Sequence, residues 1–240
     1  MSDSPSKEEI ASRYGEIPAD RFMPAKFHRR CVKLMQPRLR PRASVIDLGC
    51  GHGTLLACLA SLPLKLELHG CDLSPGLVAS ARARVPAARI VEADLEHLRF
   101  PPASFDAAFA TEVLEHLLDV HAGLRGIHNV LKPGGWLLVT LPNRDWFHFE
   151  RYLQERTRFQ PVDDRFYSVS EIEAFLTRAG FEVRLVRGGE RLYFGGGPLH
   201  LLEKIAMTLF PVLQRRMKRM MLLAQKPAAG LRAATAPAAP

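Results

Sequence analysis

Cysteine is scarce in this 240-residue chain: Cys31, Cys50, Cys58 and Cys71 are the only four. None forms a Cys-x-x-Cys pair, and their spacing matches no secreted disulfide framework, so they read as reduced thiols of a cytoplasmic protein. No apolar run reaches the roughly 18 residues that span a bilayer. The first ten residues are polar and acidic, without the basic and apolar regions of a secretory signal. No internal repeat is visible, and no nucleophile or catalytic triad stands out.

What is present is globular. A hydrophobic share of 47% with 24% charged residues suits one sizeable α/β domain with decorations. The net charge of +8 is unevenly placed. Arg21 to Arg42 holds eight Lys/Arg and no acid, and Arg184 to Lys226 holds nine against Glu190 and Glu203. Between them, Ala43 to Pro142 carries seven basic and ten acidic residues. Basic flanks can meet nucleic acid, an anionic membrane surface or an acidic substrate. They can equally be solvated helix faces.

The chain is organised around Val45-Ile46-Asp47-Leu48-Gly49-Cys50-Gly51-His52-Gly53-Thr54. Ser44 to Leu48 is a short continuous apolar block, as expected of a parallel strand covered on both faces. Three glycines at alternate positions follow, and Leu55 to Ala60 continues with good helix formers. Strand, glycine turn and helix make the nucleotide-binding corner of a doubly wound sheet. A dinucleotide fingerprint wants Gly or Ala where Thr54 stands. Asp47, just ahead of the glycines, would repel a phosphate and suits a cationic or zwitterionic ligand. A second strand reads from Lys65 to Asp72, with Ser74 and Pro75 opening the next helix. Asp72 lies 19 residues after Gly53, close to the spacing from which an acid reaches ribose hydroxyls.

On these residues the chain resembles the class I S-adenosylmethionine-dependent methyltransferases, whose first motif is an acid followed by G-x-G-x-G. The likeness is to small-molecule members of type 11 and of the ubiquinone-pathway O-methyltransferase kind. Phe105-Asp106, Glu112-Val113-Leu114-Glu115-His116 and Leu131-Lys132-Pro133-Gly134-Gly135 recur in that order in the family, and the resemblance covers Ser44 to Pro142. It implies a Rossmann-like, doubly wound, mostly parallel seven-stranded sheet finished by an antiparallel hairpin. It also implies S-adenosylmethionine as cofactor, held by Asp47, Gly49, Cys50, Gly51 and Gly53 in the turn. Asp72 with Leu73 would take the ribose, and Asp94 at the end of a third strand, with Leu95 after it, the adenine. Thr111 and Glu112, past a fourth strand over Phe105 to Ala110, would line the same site. Cys50 also reads simply as a small filler.

Glu112, Glu115 and His116 fall at i, i+3 and i+4 if a helix begins there and runs to about Val130. Metal-dependent relatives, including ubiquinone-pathway and small-RNA 2′-O-methyltransferases, carry similar letters. So do many relatives in which the segment only caps the helix and lines the pocket, and no metal is expected here. His116 is the first candidate base and His148 the second. Relatives often carry a histidine shortly before Arg165-Phe166-Tyr167-Ser168, where this chain has Asp163-Asp164.

The expected organisation is an N-terminal helical lid over 1–42, with an amphipathic helix from Phe22 to Leu39, and a cofactor-binding core over 43–142. An aromatic substrate-side insertion follows over 143–169. The last helix, a closing hairpin and an inserted amphipathic helix (Pro198 to Phe210) occupy 170–226, and a disordered tail 227–240. Trp146, Phe147, Phe149, Tyr152, Phe159, Phe166 and Tyr167 either cover a hydrophobic or aromatic acceptor or simply pack the insertion onto the sheet. The expected activity is methylation of such a small-molecule acceptor, on oxygen. One rival is methylation of RNA or another acidic macromolecule, although Thr111-Glu112-Val113 stands where base-methylating enzymes carry Asp/Asn-Pro-Pro-aromatic. Another is a non-catalytic partner subunit that binds S-adenosylmethionine. Nucleic acid is not the expected partner; peripheral contact with the inner membrane surface through the basic flanks is admitted. Oligomeric state is not legible.

Overall fold

The structure, a computed structural model, describes residues 6–17, 22–146, 148–156, 164–189 and 211–228. Seven strands form one sheet: β1 (Ser44–Leu48), β2 (Glu67–Asp72), β3 (Arg89–Glu92), β4 (Phe105–Thr111), β5 (Leu131–Pro142), β6 (Glu182–Gly189) and β7 (Arg219–Gln225). Their order is β3-β2-β1-β4-β5-β7-β6. The first five strands run parallel, and β7 lies antiparallel between β5 and β6. This is the mixed α/β sheet expected from the sequence, closing hairpin included.

The central strands are hydrophobic at nearly every position because both faces are covered. On one face Ile46, Leu48, Ala108 and Val139 pack with α5 (Val120–Val130) and α7 (Val169–Arg178). On the other, Val45, Phe109 and Leu138 pack with α2 (Ala25–Met35), α3 (Thr54–Ala60) and α4 (Pro75–Arg84). Helix starts follow local chemistry. Ser168 and Glu171 form a capping box on α7, Asp119 accepts from two amides at the start of α5, and Pro75 occupies the first turn of α4 after Ser74.

Several expectations need correction. The helix foreseen from Phe22 to Leu39 is α2, Ala25–Met35, followed by a 3-10 turn over Gln36–Arg38 in which Pro37 ends the α-helical pattern. β3 ends at Glu92, so Asp94 does not close the strand; it caps a 3-10 turn, Leu95–His97. No helix begins at Glu112: Leu114–His116 is a 3-10 turn and α5 starts only after Asp119. Lys132 to Gly135 does not precede β5 but sits inside it as an irregularity opposite Phe105 and Ala107. Two further helices are present: α1 (Lys7–Gly15), which opens the described chain with a capping box between Ser6 and Glu9, and α6 (Phe149–Arg156), between β5 and α7. The inserted helix at Pro198 to Phe210, and residues 229–240 of the tail, lie outside the described residues.

Gly49 and Gly53 have positive φ, 71° and 75°. A Cβ on Gly49 would stand 2.5 Å from Val113 Cγ2, and one on Gly53 would stand 3.1 Å from the Ala81 backbone on α4. Gly53 thus lets the start of α3 approach α4. Gly49→Ala should destabilise the fold by about 2–4 kcal/mol, part from the left-handed backbone and part from the clash. In urea melts, adding Val113→Ala should recover the clash part and leave the backbone part.

Candidate functional site

The glycine loop leaves β1 where the sheet reverses its winding, with β2 on one side of β1 and β4 on the other. In open α/β sheets this switch point is where ligands bind. Three successive loop amides are fixed by the end of β2. Gly49 N and Cys50 N both donate to the Cys71 carbonyl, at 2.8 and 2.9 Å. Gly51 N donates to Asp72 Oδ2 at 2.9 Å, while Asp72 Oδ1 accepts from Ser74 N at 3.0 Å. With the Leu73 amide also drawn to it, the Asp72 carboxylate keeps about one of its four acceptor sites for a ligand hydroxyl.

Above this floor lies a cavity of about 240 Å³. Of the residues expected to hold the cofactor, Asp47, Gly49, Cys50, Gly51, Asp72, Leu73, Asp94, Leu95, Thr111 and Glu112 line it. Gly53 does not; its place against Ala81 makes it a packing residue. His116 lines the cavity as well. His148 is not among the lining residues and is held edge-on to Trp146, with ring centroids 5.5 Å apart. The structure therefore does not bring His148 to the cavity beside His116.

The electrostatics of the floor are unusual. Asp47 is 1% exposed, and its Oδ1 has no hydrogen-bond partner among the described residues. Burial, reinforced by the negative charge of Asp72, pushes its carboxyl up to about 8. Burial also raises Asp72, against the opposing pull of the amides of Ser74, Gly51 and Leu73. The same burial drives the Cys50 and Cys71 thiols upward, so both stay protonated and unreactive.

At the far end, Asp94 is largely engaged. Its Oδ1 accepts from Glu96 N at 2.9 Å, and its Oδ2 accepts from Lys7 Nζ at 2.5 Å and lies 2.8 Å from His97 Nδ1. Partial burial works against ionisation, but these partners outweigh it and hold the carboxyl below its usual range. A carboxylate has about four acceptor sites, so one remains for a ligand amino group. Lys7 also reaches Glu96 at 3.2 Å, which anchors α1 across the cavity.

Glu112, Glu115 and His116 do not converge as a helix start would have made them. Glu112 has a φ of 54°, uncommon for a residue with a side chain. It accepts from Thr140 Oγ1 at 3.0 Å and pairs with the Arg219 guanidinium. Glu115 is fully buried. Among the described residues no group of three His, Cys, Asp or Glu side chains is placed to hold a metal ion. His116 instead has partners the sequence did not reveal. Its Nδ1 lies 2.7 Å from Asp164 Oδ1 and 2.9 Å from the Tyr14 hydroxyl, and its Nε2 lies 4.0 Å from Glu115 Oε1. Asp164 and Tyr14 are far from His116 in the chain, and no spacing rule joins them to it. Arg219, also in the cavity wall, was legible only as one charge of a basic cluster.

Fold and site together define a protein of the doubly wound class with a nucleoside-binding cleft whose floor attracts positive charge. Comparisons with known proteins agree. Residues 46–139 match the model of a methyltransferase domain family. A Mycobacterium tuberculosis protein named Probable S-adenosylmethionine-dependent methyltransferase is 32% identical over 62% of this chain and 53% of its own length. The chain thus spans about half the length of that relative. Trans-aconitate 2-methyltransferase of Methylobacterium nodulans is 31% identical over 74% of this chain and 70% of its own. Among solved structures, the [4+2]-cyclase SpnF shares the fold, with a TM-score of 0.66, 21% identity and coverage of 94% and 98%. The chain belongs to the S-adenosylmethionine-dependent methyltransferase family. Its residues fit that cofactor: the buried Asp47 oxygen lacks a partner that a cationic ligand supplies, and Asp72 keeps acceptor capacity at the cleft.

Asp47 ties stability and affinity to pH in opposite directions. Its folded pKa of about 8 lies above the ordinary 3.8, so the empty protein holds a proton that the unfolded chain releases between these values. Stability should therefore fall as pH rises through that window, and cofactor affinity should fall as pH drops below about 8, at most tenfold per unit. Asp47→Asn should raise the melting temperature of the empty protein by a few degrees, about 2–5 °C, at pH 8. In calorimetric titration it should weaken S-adenosylmethionine binding and flatten its pH dependence.

Proposed function

We propose that the chain methylates an oxygen of a hydrophobic small-molecule acceptor, using S-adenosylmethionine. The observation that carries this reading is His116 in the cavity wall with Asp164 2.7 Å from its Nδ1. An acceptor hydroxyl must lose a proton when it is methylated. A carboxylate 2.7 Å from Nδ1 favours the tautomer protonated there, which would leave Nε2 as the base.

S-adenosylmethionine, when bound, supplies a methyl group already activated by a sulfonium. Asp72 would hold its ribose, Asp94 and Leu95 its adenine, and Asp47 its positive charge. Ile10, Ala11, Phe22, Met23 and Leu117 give the cavity an apolar wall, which suits a hydrophobic acceptor and excludes water from the reacting atoms. Asp164 orients His116, and Tyr14 brings α1 against the same imidazole. No active nucleophile is required, because alignment and removal of one proton suffice.

A second reading is favoured by Arg219. This guanidinium is buried in the cavity wall, and burial lowers its pKa to about 10. Although it pairs with Glu112, a guanidinium has five N–H donors, and one turned to the cavity would suit a carboxylate acceptor, the class to which trans-aconitate belongs. A carboxylate needs no base, so the two readings separate cleanly. Radiolabelled methyl transfer should be screened against hydroxyl and carboxylate acceptors with wild type and His116→Gln. For a hydroxyl acceptor the variant should lose about 10²–10⁴-fold in kcat with the cofactor Kd unchanged. Transfer to carboxylates alone, indifferent to His116, would establish the second reading instead, and absence of cofactor binding would remove both.

A further inference from the structure

The outer face of α2 carries Lys26, Arg29, Arg30 and Lys33, all exposed, at the i, i+3, i+4 and i+7 positions that make one stripe of a helix. The opposite face, with Phe27, Cys31 and Met35, is buried against the sheet and α3. Beyond the helix, Arg40 and Arg42 are exposed too. None of these six cations forms an ion pair with a described residue, and the chain has no acid from position 22 to position 46. Arg187 of β6 stands on the same side of the sheet, opposite Met221, whose side chain belongs to the core under α2.

A solvated helix face gains from mixing signs, since opposite charges at i, i+4 support the helix and like charges weaken it. Here Lys26 faces Arg30 and Arg29 faces Lys33, both repulsive. α2 also has no acid in its first turn and no side-chain cap on its N-terminus, so nothing offsets Lys26 near the positive end of the helix dipole. The stripe works against the helix that carries it, which an external anion would reverse. Its position bears on the cavity: Phe22 and Met23, which lead into α2, and His28 on it all line the cofactor cleft. Both Phe22 and Met23 are partly exposed.

We propose that this face docks the protein on an anionic phospholipid surface, with the α2 stripe, Arg40 and Arg42 against the headgroups and the cleft beside the bilayer. A membrane is favoured over a folded acidic partner because the charge is spread along one helix face without a pocket, and because partly exposed apolar side chains flank it. The docking itself does not depend on the acceptor; only its use, delivery of a hydrophobic acceptor to the cleft, rests on the function proposed above.

Co-sedimentation with vesicles tests it. Wild type should bind vesicles of phosphatidylcholine containing about 30% phosphatidylglycerol at least tenfold more strongly than phosphatidylcholine alone. This binding should be lost between about 0.05 M and about 0.5 M salt. The combined variant Lys26→Gln, Arg29→Gln, Arg30→Gln, Lys33→Gln should lose at least tenfold in vesicle affinity while titrating S-adenosylhomocysteine as wild type does. Arg29→Lys with Arg30→Lys should keep vesicle binding. Binding to both vesicle types alike, retention by the four-site variant, or a tenfold preference for RNA or an acidic protein over the charged vesicles would overturn the proposal. Failure to methylate any acceptor would count against the function while leaving this result untouched.

Discussion

The Cys71 carbonyl and the Asp72 carboxylate together fix three consecutive amides of the glycine loop. This junction of β1, β2 and the loop decides where everything else in the cleft can lie. A loop with positive φ has many shapes available to it, and the end of β2 selects one. That choice brings Gly49 against Val113, sets Gly53 close to α4, and leaves Asp47 and Asp72 both buried at the floor. The second oxygen of Asp72 extends the same constraint to Ser74 and the start of α4.

Two carboxylates buried close together cost stability, and hydrophobic packing around them cannot offset their charge. The fold relieves Asp72 with backbone amides and leaves Asp47 to hold a proton. The consequence is a site whose charge state depends on its occupant. Empty, it keeps Asp47 neutral; facing a cation, it gains from ionising it. Glu112 is treated differently. Its strained backbone is held by Thr140 and Arg219, so this acid brings no net negative charge to the wall.

How much of this was legible in the sequence follows from the range of each interaction. The strand–glycine–helix corner and Asp72 at the end of β2 are local patterns, and the structure puts them where their spacing implied. Ser6 with Glu9 is an equally local capping signal. It announced α1 inside a stretch that reads as polar and acidic, and it was missed because overall composition outweighed it. The stretch from Glu112 to His116 failed for a related reason. Its letters suit a helix start, but the pairing of Glu112 N with Thr140 O and the Asp119 cap postpone the helix to Val120. Asp164 and Tyr14 were beyond reach, since only the folded chain carries position 164 and position 14 to the same imidazole.

That meeting gives α1 a double attachment. Lys7, near its start, reaches Asp94 and Glu96; Tyr14, two turns later, reaches His116. One nine-residue helix therefore touches a carboxylate and an imidazole that both line the cavity. A helix held at both ends in this way fixes Tyr14 relative to His116. Nδ1 of His116 cannot donate to Asp164 and accept from Tyr14 at once, so the position of α1 bears on which nitrogen holds the proton. The two walls of the cavity that carry Asp94 and His116 are thus tied together through one short helix.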